Sequence, residues 1–170
     1  MRLQAKRAGR AALEPEEAID PRAIREAAVG LLARRDHATR ELGRKLEERG
    51  FNAEVIAAVL AELTARHFLD DERYIEHFVS YHAGRGQGPV RIAAELRQVG
   101  VAAESIDRQL DAVADWRERA RAVRRKKFGA GLPKDFKGRA RQARFLEYRG
   151  FLADHIRAAL EGDFEGAIPP

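Results

Sequence analysis

LEERGFNAEVI, from Leu46 to Ile56, decides how this chain folds, because it returns as LRQVGVAAESI from Leu96 to Ile106 and as LEYRGFLADHI from Leu146 to Ile156. The copies align without gaps at a spacing of 50 residues: Leu46, Leu96 and Leu146; Gly50, Gly100 and Gly150; Ile56, Ile106 and Ile156; Leu60, Leu110 and Leu160. A fixed period of roughly 20–50 residues marks an array of helical units, each too small to bury its apolar face alone.

Within each copy the glycine reads as a helix stop. A C′ residue in the left-handed region suits Gly, which has no Cβ to clash. The next residue (Phe51, Val101 or Phe151) then packs back on the last turn. The flanks complete the unit. Asp20-Pro21 reads as an N-cap followed by Pro at the first helical position, and Ile24, Ala27, Ala28, Leu31 and Leu32 trace one stripe behind it. Ile56, Val59, Leu60 and Leu63 follow the i, i+3, i+4, i+7 rule. Asp70-Asp71 opens the second unit, with Ile75, Phe78, Val79 and His82 on one face, and Asp115-Trp116 opens the third.

The expected fold is therefore all-α: three-helix repeats over 20–69, 70–114 and 115–162, about nine helices stacked into an elongated, curved array. Residues 1–19 read as a mobile basic tail and 163–170 as a C-terminal tail. The absence of cysteine removes disulfide and thiolate chemistry and suits a reducing cytoplasm. No apolar run nears the roughly 20 residues of a membrane span, and no signal-peptide core precedes the first repeat.

Charge supplies the functional lead. The net charge is +5, yet residues 117–149 alone hold thirteen Lys and Arg against three acids. Such a split points to an anionic partner. Trp116, Ala120 and Val123 are expected to form the buried stripe of this segment, with Arg117, Arg121, Arg124 and Arg125 on the opposite side. Lys126, Lys127, Lys134, Lys137, Arg139, Arg141 and Arg144 carry the charge through the linker and the next helix. These eleven residues are the candidate surface for a partner or nucleic acid, bound through phosphates or through an acidic protein face. Few aromatics stand beside them, which argues against reading base sequence.

Other motifs read as structure. Asp70, Asp71 and Glu72 suit a helix start, where carboxylates oppose the dipole. His67, His77 and His82 lack metal-ligand spacing; His82 continues an apolar stripe, and His77 is expected at the surface beside Tyr74 and Tyr81. Gly84-Arg85-Gly86-Gln87-Gly88-Pro89 lacks a preceding strand and the Lys-Ser/Thr ending of a phosphate loop, so it reads as a hinge between units. No nucleophile or dinucleotide motif is present, and neither cofactor nor metal is expected.

LLARRDHATRELGRKLEERGF, HFLDDERYIEHFV and GQGPVRIAAELRQVGV, in that order, resemble the bacterial RecX family of recombinase regulators. The likeness rests on Glu41-Leu42 and Lys45-Leu46, on Leu69-Asp70-Asp71, and on Gly88, Ile92 and Leu96, and it spans about residues 25–160. Two positions depart from the pattern: Ala38 replaces a capping Ser, and Gln142 stands where Leu42 and Ile92 stand in the other repeats. The resemblance implies tandem three-helix units and a non-enzymatic modulator lodged in the groove of the RecA recombinase filament; the chain itself is expected to be a monomer. It further implies suppression of the filament's ATPase, strand-exchange and coprotease activities, with some contact to single- or double-stranded DNA. The residues alone leave a second reading open, a sequence-independent DNA-binding protein that acts without recombinase contact.

Overall fold

In the computed structural model, which describes residues 14–161, the described residues form helices and turns with no strand. Ten helices follow in order: α1 Pro15–Ala18, α2 Pro21–Leu32, α3 Thr39–Glu47, α4 Ala53–Ala65, α5 Asp71–Gly84, α6 Pro89–Val99, α7 Ala103–Asp111, α8 Trp116–Phe128, α9 Phe136–Tyr148 and α10 Ala153–Glu161. The fold is all-α. The triplets α2–α4, α5–α7 and α8–α10 follow the 50-residue period of the sequence. The short helix α1 falls in the stretch read as the N-terminal tail, and its Ala18 carbonyl accepts from Asn52 N at 2.9 Å. Residues 1–13 of that tail and residues 163–170 lie outside the described residues.

The repeated phrase is one backbone device used three times. Gly50, Gly100 and Gly150 have φ of 94°, 88° and 87°. Behind them Phe51 N donates to Leu46 O at 3.3 Å, Val101 N to Leu96 O at 3.4 Å and Phe151 N to Leu146 O at 3.1 Å. This is the 6→1 bond of a Schellman stop, and Phe51, Val101 and Phe151 are buried as its apolar seal.

The chain divides into two compact units between Asp71 and Glu72. The core of the first gathers Ile24, Ala28 and Leu31 of α2, Leu42 and Leu46 of α3, and Ile56, Val59, Leu60 and Leu63 of α4, closed by Phe51 and Leu69. Asp20 caps α2 by accepting from Arg22 N at 2.9 Å, and Asn52 caps α4 by accepting from Glu54 N at 2.9 Å and Val55 N at 3.1 Å. Ala38 has no side chain with which to cap α3. Asp71 does it instead: its Oδ1 accepts from Thr39 N at 2.8 Å and from Thr39 Oγ1 at 3.0 Å. Asp71 thus serves a helix start other than its own.

In the second unit, α5 buries Tyr74, Ile75, Val79 and Ala83, and α6 buries Ile92, Ala93 and Leu96. Tyr74, expected at the surface beside His77, is only 7% exposed, because it shares the register of Ile24 in the preceding repeat. His82 is half-buried; its ring stacks on Phe78 with centroids 4.0 Å apart, and its Nδ1 lies 2.8 Å from Gln87 Oε1.

The loop after α5 is not a hinge. Gly88 N donates to Arg149 O at 2.8 Å and Val90 N to Gly150 O at 3.0 Å, so the second repeat is bonded to the glycine turn of the third. A Cβ on Gly88 would sit 2.4 Å from the Gly150 carbonyl, an approach only glycine permits. Trp116 Nε1 adds a second tie between these repeats, donating to Leu110 O at 3.0 Å.

Candidate functional site

The expected basic surface lies on α8, the linker after it and α9. Trp116, Ala120 and Arg124, four residues apart, form the buried side of α8. Arg124 therefore does not face outward as its charge suggested. It is 4% exposed, and its guanidinium donates to the carbonyls of Gly129 (3.3 Å), Ala130 (3.1 Å) and Gly131 (2.9 Å) and to Gln142 Oε1 (3.3 Å). Four carbonyl dipoles compensate the buried cation, and the linker is folded around it. Arg124 is a structural residue and leaves the candidate surface.

Two more of the candidates are engaged by neighbouring groups. Arg117 pairs with Asp154 of α10 at 3.2 Å, and Arg121 donates to Ala158 O at 3.2 Å and pairs with Glu118. Asp154 is held below the ordinary carboxylate range: its desolvation, which raises it, is outweighed by the neighbouring His155 and by the Arg117 hydrogen bond. His155 is 7% exposed, with its ring 6.4 Å from that of Trp116. Burial pushes it below the usual histidine value, Arg117 adds to this, and Asp154 opposes it.

Arg125, Lys126, Lys127, Lys134, Lys137 and Arg144 are exposed and have no carboxylate partner among the described residues. Arg139 is exposed and donates to Pro133 O at 3.4 Å; Arg141 lies over the Phe128 ring at 5.3 Å. These eight are what remains of the expected surface. Solvated cations without acids beside them keep their full field, whereas paired cations largely cancel.

Sequence reasoning missed the concave part of this surface. Lys126 and Lys127 line a cleft of about 470 Å³ whose other walls carry Arg119 from α8, Arg149 from the α9 turn, and Arg85. Arg85 belongs to the loop that reads as a hinge, and Arg149 to the repeated phrase itself. The backbone bonds between these two segments, and the Arg149 guanidinium donating to Arg85 O at 3.3 Å, bring them together. Among the described residues no three His, Cys, Asp or Glu side chains gather as a metal site. No described helix is long and apolar enough to cross a membrane.

Three family models match the chain in tandem. Those described as the first, second and third three-helix domains of RecX match residues 25–63, 70–110 and 115–160. The chain is 53% identical to the regulatory protein RecX of Halorhodospira halophila, over 81% of this chain and 86% of that one. It is 46% identical to the regulatory protein RecX of Pseudomonas savastanoi, over 84% and 92%. Among solved structures, RecX from Lactobacillus salivarius superposes with a TM-score of 0.73 at 17% identity, covering 86% of this chain and 96% of that one. A likeness that low in identity speaks to the fold alone.

Proposed function

This chain belongs to the RecX family of regulatory proteins, and from that premise we propose that it is a non-enzymatic regulator that binds the RecA recombinase filament in its helical groove. Bound there, it lowers the filament's ATP hydrolysis, strand exchange and coprotease activity, and so restrains recombination, repair and the SOS response. It works as a monomer in the cytoplasm and needs no cofactor. The single observation that supports a polyanionic partner is the set of exposed cations on α8, its linker and α9 that lack carboxylates beside them. A DNA-loaded filament offers both phosphates and acidic protein surface to such a face.

The same cations fit a second reading, in which the chain binds DNA without touching a recombinase. Titration of labelled protein against bare single-stranded DNA and against preformed filaments separates the two. Preference for the filament is the expected result, and equal affinity for bare DNA favours the second reading.

A further inference from the structure

Five cations converge on one cleft: Arg85, Arg119, Lys126, Lys127 and Arg149. Its floor is apolar, made by Ala122, Val123 and Phe145, and no carboxylate lines it. The walls are fixed. Gly86, at φ 79°, sits so close to Val123 that a Cβ would lie 2.8 Å from its Cγ2, and an Arg149 Nη donates to Arg85 O at 3.3 Å. Three of the guanidinium groups are held in place. Arg85 donates to Tyr81 Oη at 2.9 Å, Arg149 lies over the Phe145 ring at 5.4 Å, and Arg119 is bound to Asp115 at 2.6 Å. Among the described residues Asp115 is the one acid paired with any of the five, so most of the positive charge stays uncompensated.

We propose that this cleft is a nucleotide-binding site, in which the five cations hold phosphates and the apolar floor takes a base or sugar. The proposal rests on the reading that the basic surface meets a DNA-loaded partner, and it assigns the contact to nucleic acid rather than to an acidic protein face. Two features favour that assignment. Phosphate oxygens accept the forked donors of arginine, and several charges can enter a small volume together. A base supplies a flat face for the Phe145–Arg149 pair, whereas an acidic side chain brings nothing to cover it. The nucleotide can come from a DNA strand or from a free nucleoside triphosphate, since the phosphate chemistry is shared.

Fluorescence anisotropy of a labelled oligothymidylate, measured with the full chain and no recombinase, tests the site. Lys126→Glu with Lys127→Glu, both exposed and outside the core, should weaken binding at least ~10-fold and reduce the salt slope by about 1.4, or about 0.7 for each phosphate no longer neutralised. Lys134→Glu with Lys137→Glu, on the same surface but outside the cleft, should weaken it less than ~3-fold. Equal losses from the two pairs overturn the proposal, as does displacement of the oligonucleotide by polyglutamate of matched charge as readily as by unlabelled oligothymidylate. ATP as competitor identifies the source: efficient displacement by ATP points to free nucleotide, and displacement only by oligonucleotide points to a strand. A chain that binds oligothymidylate through the cleft yet leaves recombinase ATPase unchanged refutes the proposed function and leaves the cleft intact.

Discussion

Arg124 donates to Gln142 in the third repeat at the two register positions that Ile24 and Leu42 fill in the first and Tyr74 and Ile92 fill in the second. All six residues are buried. A pair that is wholly apolar in the first repeat has become a hydrogen-bonded polar pair in the third, and the new cation also organises the linker through three backbone carbonyls.

This arrangement predicts strong coupling. Arg124→Ala removes the donors to the Gly129, Ala130 and Gly131 carbonyls and should destabilise the chain by about 3 kcal/mol. Gln142→Ala should cost ~2 kcal/mol, by leaving the buried guanidinium one acceptor short. Arg124→Ile with Gln142→Leu restores the first repeat's chemistry and should cost less than the two alanine changes added together. Urea unfolding midpoints of the variants give the comparison; strict additivity would contradict the pairing.

The glycine turns predict a graded series. Gly129 has φ 86° with open space where a Cβ would project, so Gly129→Ala brings backbone strain of about 1–3 kcal/mol and nothing more. Gly150 has φ 87°, but its Cβ would lie 2.5 Å from Arg91 Cβ and 2.6 Å from Arg91 N. Gly150→Ala should therefore be clearly worse, since the collision involves backbone that is bonded to the same turn. Thermal unfolding of the two variants checks the order.

The cap supplied by Asp71 predicts a rescue. Asp71→Ala leaves Thr39 N without its acceptor and should cost about 1 kcal/mol. Ala38→Ser places a hydroxyl at the N-cap itself and should recover most of that loss in the Asp71→Ala background. Lack of any recovery would mean that Asp71 acts through something other than the α3 cap.

Acid should weaken the fold. His37 is 3% exposed, with its Nδ1 2.9 Å from Arg35 O and its Nε2 3.0 Å from Lys45 Nζ. Burial holds it below the ordinary value of 6.5; the hydrogen bond to Arg35 O and the Glu41 charge oppose this, and the Arg35 and Lys45 charges add to it. His155 is shifted in the same direction by burial. With both folded-state values lowered, the unfolded chain binds more protons once the pH drops below about 6.5, so stability falls as the pH falls. Glu41 is also lowered: its desolvation raises it, but hydrogen bonds from Arg35 and Lys45 outweigh that, so its contribution is lost at still lower pH. Unfolding free energy measured from pH 7.5 downward should decline, and His37→Gln should flatten the upper part of that decline.

Much of the fold was legible because its determinants are local. Gly50, Gly100 and Gly150 each end a helix with bonds reaching no further than five residues back, so the repeated phrase exposed the device three times over. What stayed hidden depends on distant partners. Arg124 reads as one more cation in a basic run until the stripe Trp116–Ala120–Arg124 and the register with Ile24 and Tyr74 are followed through. Both signals were present, and charge outweighed them. The cap from Asp71 and the cleft shared by Arg85 and Arg149 had no local signal at all. Each requires segments brought together by the tertiary fold, as the Gly88–Arg149 backbone bond does for the cleft.

Steady-state ATP hydrolysis by RecA on single-stranded DNA, with increasing amounts of this chain, tests the central claim most directly. The wild-type chain should suppress hydrolysis, and the Arg125→Glu, Lys126→Glu, Lys127→Glu variant, folded by circular dichroism, should lose at least ~10-fold in inhibitory potency. Undiminished hydrolysis with the wild-type chain, or full inhibition by the variant, would contradict the account.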